Sequence, residues 1–143
     1  IVQGSSTDGA KLKAKFLKQT PALASLRDRV GQAAKRGWLQ GLDGRRIKVL
    51  SQHAALNTLL QGAGAIIMKR ALVILDEQIE LRGLDAKPIG NIHDEVQYEV
   101  AEKDVPTMMW LMPSCISAAG QFYNLRCPLK GSAAAGDTWY ETH

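Results

Sequence analysis

The chain has 143 residues, 45% of them hydrophobic and 22% charged, with a net charge of +4; this composition is globular, gives room for one ordinary domain, and excludes disordered, collagen-like and disulfide-scaffold classes. Two cysteines, Cys115 and Cys127, are too few to staple a secreted fold, so a reduced, cytoplasmic protein is expected. No uninterrupted apolar run approaches the ~18 residues that span a bilayer, and no charged n-region precedes an apolar h-region, so neither a membrane helix nor a signal peptide is expected.

Charge is unevenly placed. Residues 1–50 hold 11 Lys and Arg against three Asp, whereas the remaining 93 residues hold seven bases and 11 acids. A basic first third joined to an acidic remainder fits a polyanion contact at one end, and equally a solvated helix face. The chain opens on Ile1 rather than Met, which points to a processed product or a piece of a longer polypeptide.

In chain order, Ile1 to Gly9 is rich in Gly, Ser and Thr and reads as a loop. Lys11 to Lys18 places Leu12 and Phe16 at helical spacing among lysines. Thr20-Pro21 suits an N-cap followed by proline at the first helical position, opening a second helix that Gly37 ends. Trp38–Gly41 and Arg46–Leu50 flank Leu42-Asp43-Gly44-Arg45, a hairpin signal. Ser51 can cap a long helix reaching about Leu81, on the order of 45 Å at the helical rise. The first half of that helix is nearly free of charge and is expected to be buried on most sides; the second half is amphipathic. Residues 88–92 and 96–100 read as strands around His93-Asp94-Glu95. Asp104 can cap a helix from Val105 to about Ala119, and Leu125–Leu129 reads as a short edge strand limited by Pro128. The order ααββαββαβ is an α+β layout, a small antiparallel sheet packed against helices.

Three constellations carry chemistry. Asp94 and Glu95, adjacent at a strand junction, can offer oxygens to a hard divalent cation; Mg²⁺ takes one or two carboxylates and completes its shell with water and substrate phosphates. A two-metal phosphoryl-transfer site needs a further carboxylate from elsewhere. The polar row His53, Asn57 and Gln61, at i, i+4 and i+8 of the long helix, can donate to minor-groove acceptors, which every base pair offers. Lys11, Lys13, Lys15 and Lys18 on one helix, and Arg45 and Arg46 at the hairpin, can hold phosphates. Each also has a plain structural reading, as an acidic turn, a paired polar row or a solvated face. There is no G-x-x-x-x-G-K-[ST] loop and no zinc spacing, and the Met108, Met109, Met112, Cys115 stretch reads as core.

Taken together and in order, these residues resemble one family. Ile92-His93-Asp94-Glu95-Val96 is similar to the third polymerase motif of family A DNA polymerases, the bacterial Pol I type. Leu42–Arg46 and Ala54–Gly62 resemble the hairpin and long helix that precede it there, and Lys15-Phe16-Leu17 through Thr20-Pro21-Ala22, the His53–Asn57 stretch and the final His143 resemble the phage replicative branch. The resemblance implies a palm-like antiparallel sheet packed against long helices, incomplete on its own. Residues 1–36 would be the end of the fingers and residues 37–143 a C-terminal palm segment. Asp94 would be a carboxylate ligand of a catalytic Mg²⁺ pair whose second carboxylate is not in this chain, with Glu95 supporting it. His93 and Gln61 would contact the minor groove at the primer terminus, Asn57 and His53 would lie along the same helix face, and Arg45 and Arg46 would sit by the duplex. The implied partners are primer-template DNA, a dNTP and the remainder of the polymerase chain or a split partner, with no membrane, in the cytoplasm of a bacterial host if phage-encoded. The isolated chain would not polymerise. Two alternatives stand beside this reading: a non-catalytic nucleic-acid-binding remnant, and a metal-dependent phosphoesterase built on Asp94 and Glu95.

Overall fold

A computed structural model of the chain describes residues 5–92 and 94–142. They form helices α1 (Ser6–Gln19) and α2 (Pro21–Ala34), strands β1 (Trp38–Gln40) and β2 (Arg46–Lys48), and helix α3 (Ala55–Arg82). Strands β3 (Ala86–Ile92) and β4 (Glu95–Val100) and helix α4 (Val105–Phe122) follow, with 3₁₀ turns at Gln52–Ala54, Glu102–Asp104 and Trp139–Thr142. The α+β expectation holds, as two separate two-stranded antiparallel sheets, β1-β2 and β3-β4. The chain divides into two compact units between Leu60 and Gln61, inside α3.

In the first unit, α1 starts earlier than the loop reading of residues 1–9 allows. Ser5 and Asp8 form a capping box: the Asp8 backbone N–H donates to Ser5 Oγ at 3.3 Å, and the Ser5 N–H donates back to Asp8 Oδ2 at 3.1 Å. Those bonds hold Asp8 below the usual carboxylate range. No described residue of α1 is buried. Thr20 and Pro21 do open α2, but the Thr20 hydroxyl makes no cap; it donates backwards to Phe16 O at 2.8 Å. The hairpin pairs Trp38↔Lys48, Leu39↔Ile47 and Gln40↔Arg46. Gly44 sits at φ 86°, the left-handed turn conformation that glycine adopts without steric cost. The core of this unit joins Val30 and Ala34 of α2, Leu39 of β1 and Ala55 at the start of α3.

In the second unit, the later half of α3 places Ala71, Leu75 and Ile79 at i, i+4 spacing against Met108, Leu111, Cys115 and Ala119 of α4. That half is amphipathic as expected. The first half is not buried on most sides: Asn57, Leu60, Gln61, Gly64 and Ala65 are exposed, and only Ala55 and Ile66 are buried. The run-length argument against a membrane helix does not hold either. By length and composition alone Gln52–Arg82 is long and apolar enough to cross a bilayer, with 17% of its apolar window buried. Gly83 ends α3 as expected.

Strands β3 and β4 pair Ala86↔Val100 at the base and Ile92↔Glu95 at the turn, with a register shift between Pro88 and Gly90 that leaves Ile89 as a bulge. Asp104 precedes α4 but does not cap it; its Oδ2 accepts the Asp85 N–H at 2.9 Å, tying the start of β3 to the start of α4. The strand expected at 125–129 is absent. The Leu125 N–H donates to Gly120 O at 3.0 Å in closing α4, Asn124 takes φ 53°, and Leu129 O accepts from Ser117 Oγ at 2.7 Å. With Pro128 lacking an N–H, the segment has few free groups for a ladder.

Two outcomes are expected. Leu75→Ala, at a position only 2% exposed, lowers the urea-unfolding free energy by about 2–5 kcal/mol, whereas Val73→Ala at a 47% exposed position changes it far less. Burial raises the Cys115 thiol pKa, partly opposed by Arg82, while Cys127 is exposed. Iodoacetamide at pH 8 followed by mass spectrometry should therefore label Cys127 and leave Cys115 largely unmodified until the chain unfolds.

Candidate active site and nucleic-acid interface

Asp94 lies in the turn that joins β3 to β4, and its side chain is exposed. The Ile92↔Glu95 pair closes that turn, so the position of Asp94 follows from strand register rather than from a loop of its own. Glu95, half-buried as the first residue of β4, accepts a hydrogen bond from Gln97 Nε2. Residues two apart share one face of a strand, which is why Gln97 can reach it. Sequence reasoning missed Gln97; the signal was its i+2 spacing from Glu95. His93 lies outside the described residues.

Asp94 and Glu95 line a cleft of about 910 Å³ in the second unit. Its other walls are Met68 and Leu72 of α3, Tyr98 of β4, Met112 of α4 and the chain from 130 to 139. Met108 and Cys115 are buried core as expected and Met112 packs against that core; Met109 is half-buried, and all four line this cleft. Burial, followed by the charges of Asp76 and Cys115, raises the Tyr98 phenol above its ordinary value. Among the described residues no three His, Cys, Asp or Glu side chains cluster to hold a metal ion. Two adjacent carboxylates are a donor set that suits part of a Mg²⁺ site, whose remaining positions go to water and phosphate oxygens. They do not suit a closed structural cage.

The other expected residues fall as follows. Gln61 belongs to the second unit; Arg45, Arg46, His53 and Asn57 belong to the first. His53 precedes α3, in the 3₁₀ turn whose N-cap Ser51 accepts the His53 N–H at 3.2 Å. The row on α3 itself is therefore Asn57 and Gln61, four apart, and all three side chains are exposed. Arg45 is committed: its Nε donates to Asp43 Oδ2 at 2.7 Å and its backbone N–H to Asp43 Oδ1 at 3.2 Å. Partial burial works against ionisation of Asp43, but these bonds and the guanidinium charge outweigh it and hold the carboxyl below its ordinary range.

Arg46 is held differently. Its Cζ lies 4.6 Å from the centroid of the Trp38 ring, and Arg36 Cζ lies 3.9 Å from the same centroid. Arg36 Nε also donates to Trp38 O at 3.1 Å. A guanidinium over an aromatic face keeps its in-plane N–H donors available. Trp38 was missed as a partner; Arg36-x-Trp38 and the cross-strand offset to Arg46 were its signal. The four lysines of α1 are exposed.

Residues 2–141 match the model of DNA polymerase family A. The chain is 37% identical over its full length to the DNA-directed DNA polymerase of Escherichia phage Phieco32, covering 24% of that protein. It is 35% identical over its full length to the DNA-directed DNA polymerase of Enterobacteria phage T3, covering 23%. The POL domain of Pol1 from M. smegmatis, in complex with DNA primer-template and dNTP, superposes with a TM-score of 0.77 at 26% identity over 90% of this chain and 24% of that one. The chain thus spans about a quarter of the length of these relatives.

Proposed function

Because the chain belongs to DNA polymerase family A, we propose that its residues form the C-terminal palm-and-fingers segment of a template-directed DNA polymerase. On this reading residues up to about 36 end the fingers and residues from 37 belong to the palm. The reaction is attack of a primer 3′-hydroxyl on the α-phosphate of a dNTP, with pyrophosphate leaving. The observation that carries the reading is the placement of Asp94: an exposed carboxylate fixed by strand register at the wall of a large cleft.

Asp94 would hold a divalent cation, with Glu95 beside it oriented by Gln97. Such a cation, Mg²⁺ in the resemblance, supplies stabilisation of the charge that develops on the entering and leaving oxygens. Apolar side chains of α3 and α4 line the cleft beside the exposed Asp94 and the half-buried Glu95. Asn57, Gln61 and His53 would grip the duplex through minor-groove acceptors without reading sequence. Arg46, stacked on Trp38 with its donors free, would bind backbone phosphate; Arg45, neutralised by Asp43, would contribute less.

The following outcomes test this. In a polymerase reconstituted from this chain and the upstream region of a family A relative, Asp94→Asn should lower primer extension by roughly 10³-fold, the effect of losing several kcal/mol of transition-state stabilisation. Glu95→Gln should cost roughly tenfold. Primer-template binding by the Asp94 variant should stay within a factor of two or three; extension that survives the substitution would overturn the role given to this carboxylate. A polypeptide of these 143 residues alone should give no extension, because one carboxylate pair leaves the metal site open; robust synthesis by it would sink that expectation. In anisotropy titrations across a salt series, Arg46→Ala should flatten the slope of log K against log salt by about 0.9, and Arg45→Ala should flatten it less.

A further inference from the structure

The chain beyond α4 doubles back along that helix. Ser117 Oγ–H donates to Leu129 O at 2.7 Å, Leu129 packs over Gly120, and Gly131 lies against Ile116 and Pro113. The contacts step toward the start of α4 as the chain advances, so the segment runs antiparallel to the helix. Residues 132–139 then line the same cleft as Asp94, and Trp139 is among them.

One side chain closes the end of this segment. Glu141 Oε2 accepts the backbone N–H of Asp137 at 2.6 Å and of Thr138 at 3.2 Å. The Glu141 N–H donates to Thr138 O at 3.1 Å, and Thr142 Oγ1 donates to Trp139 O at 2.9 Å. Gly136 lies directly on the carboxylate arm: a Cβ there would stand 2.5 Å from Glu141 Cβ and 2.9 Å from its Oε2. The close approach of residue 136 is possible only for glycine. A carboxylate accepting two backbone N–H groups is a charge-assisted pair of bonds, stronger than neutral ones. Trp139 sits inside the turn so closed.

From this geometry we infer that Glu141 is a positioning residue for the Asp94 cleft: it latches the turn 137–142 and thereby holds Trp139 and the segment 132–139 as the cleft wall. The inference rests on the proposed function only in taking this cleft as the catalytic one. The acceptor role is geometric, so glutamine, which keeps an acceptor oxygen, can stand in for glutamate, and alanine cannot.

The test uses the full 143-residue chain, labelled for NMR. In Glu141→Ala the amides of Asp137 and Thr138 should exchange at least tenfold faster, and the methyl signals of Met68, Leu72 and Met112 across the cleft should shift. Gly136→Ala should reproduce both effects with Glu141 intact. Glu141→Gln should restore both, and the Gly136→Ala/Glu141→Ala double variant should go no further than either single. Unchanged amide exchange in Glu141→Ala overturns the latch. Faster exchange with unmoved methyl signals overturns the wall, leaving a local cap. In the reconstituted polymerase, Glu141→Ala should raise KM for dNTP several-fold more than it lowers kcat, with rescue by Glu141→Gln. Full activity of Asp94→Asn in that enzyme would defeat the polymerase reading of the cleft and leave the NMR result standing.

Discussion

The seam between α3 and α4 is the contact on which the second unit depends. Ala71, Leu75 and Ile79 meet Met108, Leu111, Cys115 and Ala119 with no buried polar or charged side chain among them. Each buried aliphatic side chain of this kind contributes roughly 1.5–3 kcal/mol of transfer free energy, and little else in the unit is as well covered. Tyr98 and Val100, two apart on β4, pack onto the same seam with Ala86 of β3. The hairpin is therefore seated at its base by apolar packing, and its turn is left exposed. The role proposed for Asp94 calls for this arrangement: a rigid base that fixes position, and a free end that water, ions and substrate can reach. The hydrogen bond from Asp85 to Asp104 adds a polar tie at the base, between residues 19 apart in sequence.

Charge is organised differently in the two units. In the first, the α1 lysines are exposed, Arg27 pairs with Asp28 on α2, and the hairpin arginines are managed by Asp43 for Arg45 and by the Trp38 ring for Arg46. Stacking on an aromatic face orients a guanidinium while leaving its charge intact, whereas an ion pair cancels it. Two adjacent arginines are thus given unequal capacity for a further anion. In the second unit, Arg70 and Arg82 also lie over rings, at 3.9 Å from the Phe122 centroid and 5.2 Å from that of Trp110. Both link α3 to α4, so these cations serve the seam by packing their flat faces on its rim.

Legibility in the sequence followed how local each signal was. The Asp43-Gly44 hairpin, the Thr20-Pro21 start and the Gly83 stop are decided by φ preferences within a few residues, and all stand where the residues indicate. The capping box at Ser5 and Asp8 is equally local but was hidden by the loop-like composition around it. Thr20 and Asp104 occupy cap positions without capping, because the Thr20 hydroxyl donates to a carbonyl four residues back and the Asp104 carboxylate accepts a distant N–H. The false strand at 125–129 shows the same competition: its groups are claimed by α4. Burial of the first half of α3 was misread because composition records what a face would prefer to touch, and not whether a neighbour is there. The place of Asp94 between two strands was legible in the sequence; the hydrogen bonds of Gln97 to Glu95 and of Glu141 to the 137–138 backbone, which depend on geometry alone, were not.

The bulge at Ile89 bears on how the hairpin tolerates change. Strand side chains alternate faces with a period of two, so a shift of one residue turns every side chain over. Here the extra residue is absorbed between Pro88 and Gly90, and the pairs on either side run in separate phases. The base, where Ala86 meets Val100, can keep its packing while the tip, where Ile92 meets Glu95, keeps its own. The bulge works as a clutch between two gears: an insertion or deletion in β3 that slips there would spare the apolar base and rotate the carboxylate-bearing tip. If Asp94 has the role proposed for it, loss of activity without loss of folding is the damage that such a slip would cause.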